Sequence, residues 1–482
     1  MLHLCALILA AAPITGAIPV TAKSASAARL FEDGRTAVLD LDAPRGAKSL
    51  REAVAAEPEF ALALAWLGRA LPGTEGLVFA QLSKGLAAKL PELERMQIEA
   101  LFAEKKGDED RARKLKRELA DAAPADWVAQ VMAGTQAQSD RKSQAALLYL
   151  QRATALAPGR PAASIPLAHT YLGQGMLAEA LETAKKLVAQ APRDARARDT
   201  LGEVFMRLDK LDEADAAFEE ATQLSPDAWM AFVGRAYVRF FRGHHAAARV
   251  MLTRAKEAAQ RAPAPAQRMV EVTVAWTHLA AGSGDLALHA IDDLEKVAKT
   301  HGDDSGYAWA AVERGEMLLE LGKRDQARAQ LADALQRSEK LTAEDANTLR
   351  RVAFWAAQRN ALASGQKDEA AKAVRGLESL PAAASDSMAM REMLTAARAA
   401  QAIGSGNGAQ AVALLSSCSR TNFRCQQQMV EAQTLMGNQR AADETRAWMA
   451  TANVRDGLSQ GDDPIYLYLR MRFGVLPKAG TP

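Results

Sequence analysis

Pro124, Pro158, Pro192 and Pro226 recur at one constant spacing. A fixed period of about 34 residues makes each segment a copy of one supersecondary unit, and units that cannot bury an apolar face alone must stack on one another. The segment between Pro192 and Pro226 shows the unit's grammar. Leu201, Gly202 and Phe205 lie on one helical stretch, and Ala214, Phe218 and Ala221 follow on a second at i, i+4, i+7, which places all three on one face. Asp209-Lys-Leu-Asp212 is a polar break between them. Gly202 and Ala214 are expected where the two backbones cross closely, with Phe205 and Phe218 filling the space around them. Pro226 ends the unit because proline cannot continue a helix and biases the preceding residue away from α.

The neighbouring segments repeat the pattern with Leu167, Tyr171, Gly175, Ala180 and Pro192, and with Gly134, Ala146, Leu150, Ala153 and Pro158. A two-helix unit of this period, with small residues at crossings and a closing proline, resembles the tetratricopeptide repeat family. The chain departs from the family pattern in lacking the early tryptophan in its central units and in placing Ala184 where an aromatic is usual. The resemblance implies an all-α, right-handed α-solenoid of about twelve helix-turn-helix repeats, with first helices lining the concave side.

A solenoid also accommodates 482 residues, more than one compact core holds, without segments of unlike composition. The expected organisation is a signal peptide over 1–22, degenerate repeats over 23–124, regular repeats over 125–263, divergent repeats over 264–455, and a capping segment with tail over 456–482. The degenerate part reads as Ala25 to Pro58, Phe60 to Pro91 and Glu92 to Pro124. Trp229 to Pro263 is expected to carry two extra residues in its first helix, where Tyr237, Phe240 and Phe241 thicken the apolar face. The apolar-aromatic stretch Pro464 to Val475 is the expected cap of the open end.

Met1 to Ala22 contains no Lys, Arg, Asp or Glu, carries an apolar run from Leu4 to Ala12, and ends in the small-x-small pattern Val20-Thr21-Ala22. These features predict an export signal cut near Ala22 and a periplasmic or secreted chain, although a positive n-region is missing and the length admits an uncleaved anchor. Pro13, Gly16 and Pro19 argue against a membrane helix, so no span is expected in the mature chain. Cleavage would remove Cys5 and leave Cys418 and Cys425, an even pair with six residues between them, for which a disulfide is predicted.

A net charge of +2 lacks the basic excess of a nucleic-acid surface, and 5% aromatics leave few rings for stacking on bases or sugars. No zinc-protease, Cys-x-x-Cys, phosphate-loop or nucleophile-elbow motif is present. Gly404-Ser-Gly-Asn-Gly408 lacks a lysine and falls where a helix-to-helix turn is due. The adjacent His244 and His245 point apart, with no acidic partner at i+3 or i+4. Glu219-Glu220 and Asp292-Asp293 belong to outer faces of second helices, and Trp127, Trp229, Trp276, Trp309 and Trp355 to packing between units. No catalytic residue, metal or cofactor is therefore expected.

What remains is a non-catalytic scaffold or adaptor that binds proteins in the cell envelope; the alternative is a ligand-responsive sensor module acting on a separate effector. The non-core positions of the first helices are Gln138, His169, Arg196, Asp199, Glu203, Arg207, Arg235 and Arg239. Their arginine excess predicts a protein or peptide ligand of acidic character, since a guanidinium forms paired hydrogen bonds to carboxylates while stacking on apolar groups. Some tetratricopeptide co-chaperones clamp a peptide carboxylate with Lys and Asn on first helices, but the central first helices here contain no Asn.

Overall fold

The computed structural model describes residues 16–452 apart from 141, 263, 342, 381–387 and 421. The helices follow one another in pairs: α1 Ala25–Leu39 and α2 Ala43–Ala56, α3 Ala61–Ala70 and α4 Gly73–Leu86, α5 Glu92–Lys105 and α6 Glu109–Ala122, α7 Trp127–Ser139 and α8 Ser143–Leu156. Next come α9 Pro161–Gly173 and α10 Leu177–Gln190, α11 Ala195–Arg207 and α12 Leu211–Leu224, α13 Trp229–Phe241 and α14 His245–Ala259, α15 Ala264–Ala280 and α16 Gly284–His301. The series closes with α17 Asp304–Glu320 and α18 Arg324–Arg337, α19 Ala343–Ala363 and α20 Lys367–Glu378, α21 Met388–Gly404 and α22 Gly408–Leu415, α23 Phe423–Leu435 and α24 Gln439–Thr451. These are twelve pairs, and no strand occurs among the described residues. The expected cap at Pro464 to Val475, Cys5 and most of the expected signal lie outside the described residues.

Two compact units divide the chain, one up to Gln174 and one from Gly175 onward. The first holds α1–α9 and the second α10–α24. Within each unit, second helices pack on the first helix of their own pair where it belongs to that unit, and on the next first helix, so the core is a row of junctions and not a single centre.

Local chemistry sets the helix ends. Asp126, Asp194, Asp303 and Asn422 each accept a hydrogen bond from an N–H in the first turn of the helix they precede. The turn between first and second helix passes through a left-handed residue: Gly175, Asp209 and Gly243 have φ of 71°, 61° and 75° and recur at the same spacing as the prolines. Glycine takes that conformation at no Cβ cost, and Asp is among the few other residues that tolerate it.

Within a pair, a glycine at position i of the first helix faces a large side chain at i+16 on the second. A Cβ at Gly34 or Gly134 would stand 2.6 Å from Cγ of Leu50 or Leu150, and one at Gly202 or Gly315 would stand 2.7 Å from the Phe218 ring or Leu331. Gly202 thus makes room for a ring, not for a crossing backbone as its size suggests. The near approach of backbones occurs instead at Gly68, where a Cβ would meet the Gly76 carbonyl oxygen at 2.8 Å and the Ala80 nitrogen at 2.9 Å. Phe218 and Ala214 are fully buried, while Phe205 is only partly covered.

The pair beginning at Trp229 differs from its expected shape. Helix α13 has 13 residues, as α11 does, and the second helix α14 has 15. Gly243 holds the turn in phase with Asp209, so α13 has no room to lengthen.

Each unit also ties together first helices several pairs apart. In the first, Leu39 at the end of α1 packs with Val131 of α7 and Ala163 of α9, and Asp40 Oδ1 accepts from the Ala162 N–H at 3.1 Å. In the second, Phe423 and Val430 of α23 join the apolar cluster of Val233, Trp276 and Met317. Part of the face that first helices present is therefore taken by the chain's own distant helices.

Candidate functional site

The eight positions expected to line a groove are held inward, and none is fully exposed. In the first unit, Gln138 donates through Nε2 to the Pro166 carbonyl oxygen at 3.4 Å, and His169 is half-buried on α9. The other six lie in the second unit. Asp199 and Glu203 are buried on α11, and Arg207 is half-buried in its last turn. Arg196 turns back on the cap of its own helix, with Nη2 2.7 Å from Asp194 Oδ2.

Arg235 and Arg239 of α13 converge on one carboxylate of the preceding helix. Asp215 Oδ1 accepts from Arg235 Nε at 3.1 Å and from Arg239 Nη1 at 2.7 Å, while Arg235 Nη2 reaches Glu219 Oε1 at 2.9 Å. Burial pushes the Asp215 carboxyl up, but hydrogen bonds and charge from Arg239 and Arg235 outweigh it and leave it below the usual carboxylate range. The same joint recurs between a second helix and the next first helix. Arg314 Nη1 stands 2.7 Å from Asp292, and Arg398 Nη2 stands 2.8 Å from Glu378. An acidic residue 20 to 22 positions before an arginine is the sequence signal of this joint.

A second constellation lies in the first unit and involves none of the eight expected groove positions. The non-helical segment from Gly16 to Ser24 crosses three successive junctions between pairs. Ala125 N–H donates to the Gly16 carbonyl at 2.8 Å, and Ile18 N–H donates to Asp126 Oδ2 at 3.1 Å. Thr21 donates twice to Glu94, from its N–H at 3.2 Å and from its hydroxyl at 2.6 Å. Lys23 and Ser24 N–H groups donate to Glu57 Oε2 at 2.8 and 3.2 Å. Ile18 is buried in the apolar cluster of Leu119, Ala120 and Ala123. Three extended residues reach about 10 Å, which matches the roughly 8–10 Å between packed helices, so one carboxylate per repeat meets every second or third residue. Burial raises Glu94 above the usual carboxylate range, and the Thr21 hydrogen bonds offset this only in part.

The repeats themselves match known models. Residues 137–203 and 195–228 each match a tetratricopeptide repeat model. Residues 137–228 are tetratricopeptide repeats. No curated protein matches the chain. Among solved structures, MamA from Desulfovibrio magneticus RS-1 aligns at 20% identity, over 36% of this chain and 100% of that one, with a TM-score of 0.32. A tetratricopeptide repeat protein from Parabacteroides merdae aligns at 17% identity over 54% of this chain and 98% of that one, with a TM-score of 0.38. YrrB, described as a TPR protein with an unusual peptide-binding site, aligns at 21% identity over 38% of this chain and 96% of that one, with a TM-score of 0.28.

Gly404 to Gly408 forms the turn between α21 and α22, and His244 and His245 are exposed at the start of α14. Trp276 and Trp355 are buried, and Trp276 Nε1 donates to Glu313 Oε2 at 2.8 Å. Among the described residues no three His, Cys, Asp or Glu side chains cluster as metal ligands, and no helix is long and apolar enough to cross a membrane. Cys418 and Cys425 form a disulfide across the turn between α22 and α23, with a Cα–Cα distance of 6.4 Å.

Proposed function

We propose that the protein is a non-catalytic scaffold or adaptor that binds a protein or peptide ligand in the cell envelope. The observation that carries the ligand reading is the joint at α12 and α13, where two guanidiniums converge on Asp215 and one of them also reaches Glu219. An acidic ligand segment would bind at the Arg196 to Arg239 ridge by competing with Asp215 and Glu219 for the guanidiniums of Arg235 and Arg239. Export is supported by the uncharged, apolar Met1 to Ala22 and its small-x-small ending. Nucleic acid is a poor ligand for a chain with a net charge of +2.

Two comparisons test the ridge. Replacing Arg207, Arg235 and Arg239 together by alanine should leave the helical circular dichroism intact and weaken binding of a Glu-rich peptide tenfold or more, about 1.4 kcal/mol. Asp215→Asn should strengthen that binding, because the internal competitor loses its charge. Undiminished binding by the folded triple variant would place the ligand elsewhere. Amino-terminal sequencing of chain recovered from the periplasm tests export, with Lys23 expected as the first residue.

A further inference from the structure

We propose that Glu57, Glu94 and Asp126 form a peptide-recognition groove whose ligand in the full chain is its own segment Gly16 to Ser24. The groove takes an extended segment that offers free backbone N–H groups, a β-branched apolar residue, and a hydroxyl three positions later. Ile18 and Thr21 are that pair here. When the segment is displaced, a segment of another protein with the same features occupies its place.

The row is more than a group of acidic side chains, because an extended segment of the chain lies along it and donates to each of the three. Glu94 has no solvent exposure, and Glu57 and Asp126 are each 7% exposed. The segment donates five hydrogen bonds to these carboxylates, while the Gly16 carbonyl accepts from the Ala125 N–H and the Lys23 ammonium reaches Glu59. Carboxylates this buried need donors to stay satisfied. The segment supplies them from backbone, which any extended peptide could replace, while the Ile18 pocket and the Thr21 hydroxyl set selectivity. The partner is thus distinguished from the acidic ligand of the arginine ridge by chemistry and by unit.

Cleavage near Ala22 would operate this groove, a step that rests on the export reading above. Lys23 would become the first residue, and its nitrogen already stands 2.8 Å from Glu57 Oε2. The new ammonium would keep Glu57 satisfied, whereas Glu94 and Asp126 Oδ2 would lose the donors that Thr21 and Ile18 provide.

The test keeps the whole chain and weakens only the internal ligand. Ile18→Asp sets a charge against Asp126 and the apolar pocket, and Thr21→Pro removes the N–H and hydroxyl that Glu94 accepts. A fluorescent peptide with the sequence of residues 16–24 should bind this double variant at least tenfold more tightly than the unaltered chain. Adding Glu94→Met should abolish the gain, and a peptide carrying the same two substitutions should not bind. Equal binding to altered and unaltered chains, or indifference to Glu94→Met, would overturn the groove. So would loss of helical circular dichroism in the double variant, because the segment would then be an integral part of the first unit. Sequencing of the exported chain decides the cleavage step independently of the peptide titration.

Discussion

Arg424 and Glu316 form a two-pronged ion pair across 108 residues, with Nη1 2.8 Å from Oε1 and Nη2 3.0 Å from Oε2. Their side chains are 9% and 1% exposed, so both charges have left water. Helices α17 and α23 are three pairs apart in sequence, and the bridge fastens the last described pairs to the middle of the second unit. Removing one partner strands a buried charge, which typically costs about 3–5 kcal/mol. Arg424→Ala should therefore release α23 and α24 first, read as loss of hydrogen-exchange protection there before α11 to α14 lose theirs. Arg424→Met with Glu316→Leu should recover most of the loss. Uniform loss of protection along the second unit in Arg424→Ala would show that the bridge supports a single cooperative core.

Gly202 and Phe218 define a second, local weakness. A methyl group on Gly202 would lie 2.7 Å from two carbons of the Phe218 ring, and the ring is fully buried. Gly202→Ala is expected to destabilise this pair by roughly 1–3 kcal/mol, the usual cost of overpacking. Combining it with Phe218→Leu should cost less than the sum of the two changes, because leucine, which faces Gly34 and Gly134, is the shape the other pairs use. Urea unfolding of the two single variants and the double variant measures the coupling.

The helix positions were legible because their signals are local. Prolines at a fixed period, a turn glycine in phase with them and a small residue at i facing a large one at i+16 all fall within one repeat. The ion pairs between consecutive helices were half legible: Arg235 and Arg239 stood out as first-helix arginines, but Glu219 read as a position on an outer face and Asp215 did not stand out. Their pairing depends on how one repeat is rotated against the next, which the period does not encode. Arg424 with Glu316, and Ile18 with Asp126, were not legible at all. Each contact joins residues 108 positions apart, and its existence rests on superhelical geometry accumulated over three pairs.

Cys418 and Cys425 close a short loop, so their disulfide should stabilise the α22 to α23 turn at the low end of the normal range, about 2 kcal/mol. Thiol labelling of the oxidised, denatured chain without residues 1–22, and so without Cys5, should find no free cysteine. Two free thiols would exclude the bridge in the isolated protein. Reduction should raise hydrogen exchange around Asn422 and Phe423 while leaving the first unit unchanged.

Glu271 gives the second unit a pH dependence of predictable sign. Burial raises its carboxyl above the ordinary value, while the hydrogen bond and charge of Lys256 lower it and the charge of Asp293 raises it further. The neutral form is thus favoured in the folded chain. A group whose folded pKa is raised contributes stability fully below its unfolded value, near pH 4.5, and that contribution is lost as pH rises through the raised folded value. Glu271→Gln cannot ionise, so it should gain stability relative to the unaltered chain as pH climbs from about 4 toward neutrality. Thermal melts of both proteins across that range check the sign. A difference that stays flat, or that shrinks with pH, would mean that Lys256 holds Glu271 ionised throughout.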